Sequence, residues 1–197
     1  MTNETKWSID QSHSEIAFKV RHLMISHAKG IFKTFDASIY TLGRDFTTAE
    51  IDLWIDSSSI STGDDKRDEH LKGADFFDTK NHKQITFESR SIKKIKTNDN
   101  YELWGELTMK GITKNIKLNM EFGGIEKDPL GNEKAGFTVT GKINRSDWSL
   151  IWNASIETGG LMVSDEITIS CDVQLINQGA KEQKIKSETK TAKKAVA

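Results

Sequence analysis

The sequence predicts an all-β protein of antiparallel strands with one short helical connection. Three observations carry this. Apolar and polar residues alternate with period two through most of the chain, several alternating runs reach ten residues or more, and only residues 64–72 carry a helix-like charge pattern. Successive side chains of a strand point to opposite faces, so each alternating run has one apolar and one wet face.

Taken in order, residues 14–22 place Ile16, Phe18, Val20 and His22 on one face and Glu15, Lys19 and Arg21 on the other. Residues 30–40 are less regular: Phe32 and Phe35 have opposite parity, which predicts a bulge or bend between them. Ile51, Leu53 and Ile55 share a face, as do Ile85 and Phe87, then Tyr101, Leu103, Leu107 and Met109. Ile116, Leu118, Met120 and Phe122 follow, then Phe137, Val139 and Ile143, and last Ile167, Ile169, Cys171, Val173 and Leu175, with the final strand ending near Ile176. That makes about eight strands. Residues 98–100 and 128–132 have turn composition, and Pro129 suits the second position of a turn. In residues 64–72 the acids of the first turn suit the helix dipole, and Gly73 is placed to end the helix. Trp54 and Trp104 are out of phase with their strands' apolar faces and are expected outside, under that helix or at a subunit contact.

Alternation fits either a sandwich or a closed barrel. The long runs at 84–96, 115–125 and 166–176 favour the barrel, and eight strands enclose room for packed side chains or one small ligand. The apolar faces hold no lining of acids or bases, so any cavity is greasy.

With 197 residues, the chain has room for one domain over 1–178 and a tail over 179–197. The tail is rich in lysine and has no aromatic residue, which predicts disorder: a solubilising segment, or one weakly drawn to anionic membrane. A net charge of −1 provides no global field for nucleic acid or a membrane surface. Cys171 is the only cysteine, so no disulfide forms within the chain. No apolar run reaches the length of a membrane span, and the opening residues lack a signal-peptide pattern. The expectation is a cytoplasmic protein.

Catalytic signals are weak. His13, His22, His27, His70 and His82 are scattered without a metal-binding spacing, although a turn could bring His22 and His27 together. There is no G-x-S-x-G elbow, and His13 and Ser14 are adjacent strand residues pointing opposite ways. Cys171, mid-strand on an apolar face, reads as a buried thiol. The acids at 64–69 read as a solvated helix. Arg67-Asp68 and residues 144–147 read as loop locks through charge-assisted bonds, or as clamps on a polar ligand head. His22 reads as a rim histidine or a head-group donor. Residues 148–152 and the loop to Gly160 read as a lid, or as ordinary packing at a barrel end.

The ordered pieces resemble the YceI-like family, often called polyisoprenoid-binding proteins. The resemblance is carried by Trp7-Ser8-Ile9-Asp10, His13-Ser14, Val20-Arg21-His22, Gly30-Ile31-Phe32 and Ser59-Ile60-Ser61-Thr62-Gly63. Arg67-Asp68, His70-Leu71, Asp75-Phe76-Phe77, Ile85-Thr86-Phe87-Glu88-Ser89, Gly105-Glu106-Leu107-Thr108, Gly111-Ile112-Thr113-Lys114 and Ile143-Asn144-Arg145-Ser146-Asp147-Trp148 continue it. Two positions depart: Lys83 stands where proline is usual, and Ser149 where glycine usually follows the aromatic.

The resemblance implies an extended lipocalin-like barrel holding a long apolar chain (a polyisoprenoid, an isoprenoid quinone or a fatty amide) in a tunnel, with no cofactor or catalysis. It also allows a homodimer. The expected ligand-facing residues are Ile16, Phe18, Val20, His22, Phe32, Leu53, Phe87, Leu107, Leu118, Val139, Trp148 and Trp152; the head-group candidates are Arg67, His70 and Arg145; no metal ligand is assigned. The expected function is non-catalytic binding, storage or transport. The alternatives are an enzyme acting on such a lipid and a stress-associated barrel without ligand.

Overall fold

The computed structural model describes residues 4–95, 99–155 and 161–180. Asn98 of the first expected turn, Gly159 and Gly160, and the expected tail beyond Ala180 lie outside them. The chain runs through β1 (Glu4–Ile9), a 3-10 turn (Gln11–His13), β2 (Glu15–His22), β3 (Ser26–Phe32), β4 (Phe35–Leu42) and β5 (Asp45–Asp56). A second 3-10 turn (Ser57–Ser59), β6 (Ile60–Ser61), α1 (Asp65–Lys72), β7 (Gln84–Lys94) and β8 (Asn100–Met109) come next. β9 (Ile112–Lys127), β10 (Glu133–Asn144), a third 3-10 turn (Arg145–Trp148) and β11 (Val163–Ala180) complete it.

Eight strands close a ring in the order β1-β4-β5-β7-β8-β9-β10-β11, and β11 pairs back onto β1. Every pairing is antiparallel. β2, β3 and β6 extend the upper half of the barrel from β11. They continue β1, β4 and β5 past short breaks, so three staves of the wall are each made of two pieces. β11, the longest strand, carries both halves of the first stave: β1 from Leu175 onward and β2 between Val163 and Asp172.

The predicted bend lies at Lys33–Thr34, between β3 and β4. It resets the parity so that Phe32 and Phe35 are both buried. β1 was not among the predicted strands. Its apolar face is only Trp7 and Ile9, too short a pattern to stand out, yet Trp7 is fully buried and its indole N–H donates to Thr41 Oγ1 at 2.9 Å. β11 runs on to Ala180, beyond the expected end near Ile176 and into the segment assigned to the tail, because Thr5 pairs with Ala180 to close the barrel.

α1 begins one residue after its expected start. Asp64 caps it, accepting from the Arg67 amide at 3.0 Å, and that bond holds its carboxyl below the ordinary value. Gly73 ends it, its N–H donating to His70 O at 3.0 Å. The helix packs beside β6. It does not cover the two out-of-phase tryptophans. Trp54 and Trp104 stand on the outer wall, 37% and 40% exposed, and the Lys117 ammonium sits 5.9 Å from the Trp104 ring centroid.

The base of the barrel is plugged by aromatics. Phe46 packs against Trp7 at 5.1 Å and Phe122 at 5.6 Å, both tilted, and meets Phe137 edge-on at 4.8 Å between ring centroids. The opposite end carries the site.

Candidate functional site

A cavity of about 620 Å³ runs up the barrel from the aromatic plug. Its walls follow from the strand alternation. Ile16, Phe18, Val20, Phe32, Leu53, Phe87, Leu107, Leu118 and Val139 all face it, as the alternation predicts. Phe18 lies across Gly30, its partner on β3: a Cβ at Gly30 would stand 2.4 Å from the Phe18 ring. The wall is therefore tiled with rings where the backbone opposite carries no side chain.

The polar lining is confined to one end. His22, Thr62, Asp64, Lys66, Arg67, His70 and Arg145 line the mouth, and Asp64, Lys66 and Arg67 are solvent-exposed there. Deeper in, Cys171 is the one ionisable group among the described lining residues. Burial pushes its thiol up to about 11, so it stays protonated and unreactive at neutral pH.

At the mouth, α1 is locked to the strand before it. The buried Asp68 accepts from Thr62 N at 2.8 Å and Thr62 Oγ1 at 2.6 Å. Arg67 donates to the same threonine, Nε to Oγ1 at 2.7 Å and Nη2 to the carbonyl at 3.0 Å. Arg67 and Asp68 thus lock a loop jointly through Thr62 rather than through each other. Arg67 keeps an exposed edge over the cavity.

Arg145 is buried, at 6% exposure. Its Nε donates to Ser164 O at 3.0 Å and its Nη1 to Trp152 O at 2.8 Å and to Leu150 O. It spends these bonds on the carbonyls of Leu150, Trp152 and Ser164, not on the neighbouring Asp147. Burial lowers its pKa and the nearby Asp165 opposes that shift. Asp165 itself accepts from Ser146 N at 3.0 Å and Ser146 Oγ at 2.7 Å. Arg145 therefore shapes the segment that roofs the cavity.

That roof decides the two tryptophans. Ser149 takes a left-handed backbone, φ +58°, and reverses the chain. Trp148 is consequently buried in the wall, 1% exposed, with its indole N–H donating to Leu107 O at 3.1 Å. It was expected to face the ligand, but it does not line the cavity. Leu150 and Trp152 do. Trp152 meets the His70 ring at 4.8 Å and Phe76 at 5.4 Å, so the roof rests on α1 and on the segment after it. His70 also meets Asp75 Oδ2 at 3.1 Å. Leu150 and Phe76 were not among the expected ligand-facing residues; each sits in a connection, where alternation gives no parity.

A Ser–His–Asp group does occur on the outside, in the break between β1 and β2. His13 Nδ1 lies 3.0 Å from Asp10 Oδ2 and 3.1 Å from Ser12 Oγ. Both partners address the same ring nitrogen, whereas a relay needs opposite nitrogens. Asp10 instead ties the break to the wall, accepting from Lys134 Nζ at 2.8 Å. Ser14 Oγ accepts from Gln174 N at 2.9 Å. His22 lines the mouth while His27 is exposed on the outer face, and among the described residues no group of three or more His, Cys, Asp or Glu side chains gathers.

The model of the YceI-like domain matches residues 7–175. The chain belongs to the YceI-like family. A UPF0312 protein of Staphylococcus aureus (strain bovine RF122 / ET3-1) is 37% identical over 171 residues, covering 86% of this chain and 96% of the relative. The YCEI protein of Campylobacter jejuni is 34% identical, with a TM-score of 0.65 over 83% of this chain and 91% of that one. A polyisoprenoid binding domain from Saccharophagus degradans, 17% identical, shares the fold with a TM-score of 0.61 over 87% of this chain and 98% of its own. The YceI-like barrel is therefore the architecture of this chain.

Proposed function

We propose that the barrel binds one long-chain apolar molecule, such as a polyisoprenoid, an isoprenoid quinone or a fatty amide, and stores or carries it unchanged. The observation that carries this reading is the distribution of polarity. A cavity of about 620 Å³ has aliphatic and aromatic walls, with its charged side chains collected at one end. An amphiphile with one polar end fits that gradient: its chain lies in the barrel and its head meets Arg67, His70 and His22 at the mouth. The cavity volume falls within the range of small-molecule sites, about 300–1,000 Å³. Each buried methylene contributes about 0.8 kcal/mol, so a chain of about sixteen carbons, worth about 13 kcal/mol, reaches micromolar affinity without polar help after an association cost of about 4 kcal/mol.

Similarity to a domain described as polyisoprenoid binding supports the ligand class. The one thiol of the described walls, Cys171, is held protonated, and His22 and His70 stand at the mouth rather than along the walls, which supports binding without chemistry. The cytoplasm is the compartment this reading assigns, and cell fractionation tests it. Function is tested by native mass spectrometry of protein purified from a cell extract, followed by lipid extraction. One bound amphiphile per barrel is expected. Incubation with a prenyl quinone, a prenyl phosphate and a fatty amide should return each unaltered. Conversion of any of them, lost in His22→Ala or His70→Ala, would replace the carrier reading with an enzymatic one.

A further inference from the structure

We propose that the β2–β3 hairpin tip, with the strand start beside it, docks this protein on an anionic lipid bilayer and sets the mouth of the cavity against the membrane. The proposal rests on the lipid-carrier reading and adds where the lipid is collected.

The first observation is the turn itself. Leu23 and Met24 both have left-handed backbones, φ +50° and +59°, and the Ile25 N–H donates to His22 O at 3.2 Å. Two positive φ values in a tight hairpin are the mark of a turn that Asn-Gly fills without strain. Bulky apolar residues there cost backbone strain, and they recover little of it by packing. Met24 is 51% exposed and Ile25 is 84% exposed. Burial in the fold does not account for them.

The second observation is what lies next to the tip. Leu23 N–H donates to Met162 O at 2.8 Å, which holds the tip against the start of β11, where Leu161 is 57% exposed. Met162 and Val163 line the cavity, as do Val20, His22 and Ala28 of the hairpin. The exposed apolar tip is thus continuous with the cavity wall at the mouth. A lipid chain moving from a bilayer along this rim passes from one apolar surface to another.

The third observation names the partner's charge. On the outer face of the hairpin Lys19 sits opposite Lys29, and Arg21 follows two residues nearer the tip. Like charges directly across a strand pair repel. Among the described residues Lys19, Arg21 and Lys29 form no ion pair; of the acids on that side, Glu166 is paired with Lys142, Asp165 is held by Ser146, and Glu15 lies at the end of β2 away from the tip. An apolar tip flanked by three basic side chains without ion-pair partners matches the interface of an anionic bilayer, whose surface potential draws basic groups within a Debye length.

The test is flotation with phosphatidylcholine vesicles, with and without phosphatidylglycerol, beside loading assays with a prenyl quinone. The wild-type chain should float with the anionic vesicles and be released by salt. The double variant Leu23→Asn, Met24→Gly supplies the residues the turn prefers, so its melting temperature should hold or rise, while its vesicle affinity falls by about tenfold. Lys19→Glu with Lys29→Glu should cause a similar loss on anionic vesicles only. Quinone uptake from detergent micelles should be unchanged in both variants, and uptake from vesicles slowed. Wild-type affinity in the double variant, equal binding to neutral vesicles, or a dimer that the tip substitutions dissolve would each overturn the proposal. A wild-type chain that floats but takes up quinone from neither source overturns the carrier reading while leaving the docking surface standing.

Discussion

At the scale of single residues, Ser149 and Asp10 show how local chemistry is set by place. Ser149 holds φ +58° at the reversal that separates Trp148 from Trp152. A side chain in that region costs about 1–2 kcal/mol, which glycine avoids at a partly offsetting entropic cost. Ser149→Gly is therefore expected to stabilise the fold by about 0.5–1 kcal/mol, read as a higher melting temperature with unchanged lipid binding. Asp10 is buried and accepts bonds from Lys134, Ser12 and His13, and with Lys134 the largest cause its carboxyl is held well below its ordinary value of 3.8. A depressed carboxylate pKa contributes stability that is fully present above the unfolded value and lost as pH falls through the folded one. Thermal melts between neutral pH and strongly acidic pH should show that loss setting in below about pH 4, and Asp10→Asn should flatten it. An acid slope identical in the variant would show that Asp10 does not carry this linkage.

Elements of this barrel are fixed to one another at their breaks. The stave that begins as β5 passes through a 3-10 turn into β6, and α1 then folds back and is held by Asp68 on Thr62. Removing a buried, charged acceptor leaves two donors of Thr62 to find other partners. Asp68→Ala is expected to cost about 1.5–3 kcal/mol, measured by denaturant unfolding, and to loosen the mouth rather than the base. Where strands approach closely, glycine is required by space. A Cβ at Gly105 would lie 2.3 Å from the Phe87 ring and 2.5 Å from Glu88 O. The second contact is backbone and cannot swing aside. Gly105→Ala should therefore destabilise by about 1–3 kcal/mol, and a variant melting like the wild type would refute the close approach.

At the scale of the whole molecule, the walls leave space that the side chains do not fill, and the thiol of Cys171 reports on it. Its pKa of about 11 against an ordinary 9.0 leaves about a hundredfold less thiolate at neutral pH than a free cysteine has. Alkylation of Cys171 should be slow in the empty barrel and slower again when a lipid chain lies against it. Val139 faces the same space from the neighbouring strand, paired with Cys171. Val139→Phe places its added bulk in the cavity rather than in packed core. It should keep the fold, lower lipid occupancy several-fold and remove the ligand's effect on Cys171 alkylation. Unaltered occupancy in that variant would move the ligand elsewhere.

The strand register was legible in the sequence because a period of two has only two phases. Once Phe18, Leu53, Phe87, Leu107, Leu118 and Val139 lie on apolar faces, the faces they share must turn inward together. The bend at Phe32 and Phe35 was legible for the same reason, as a change of phase. The capped helix announced itself through Asp64 and Gly73. What alternation cannot carry is anything that happens where strands stop. β1 shows only two apolar residues, and its place is decided by pairing with β4 and β11, far off in the chain. The opposite fates of Trp148 and Trp152 turn on one left-handed residue, and the carbonyl partners of Arg145, on Leu150, Trp152 and Ser164, come from the connection after Trp148 and from the irregular start of β11. Closure was likewise a tertiary outcome: period two fits sandwich and barrel alike, and the pairing of β11 with β1 decides between them. Periodicity specifies which side of a strand is apolar. Only long-range pairing and the turns between strands determine what that side encloses.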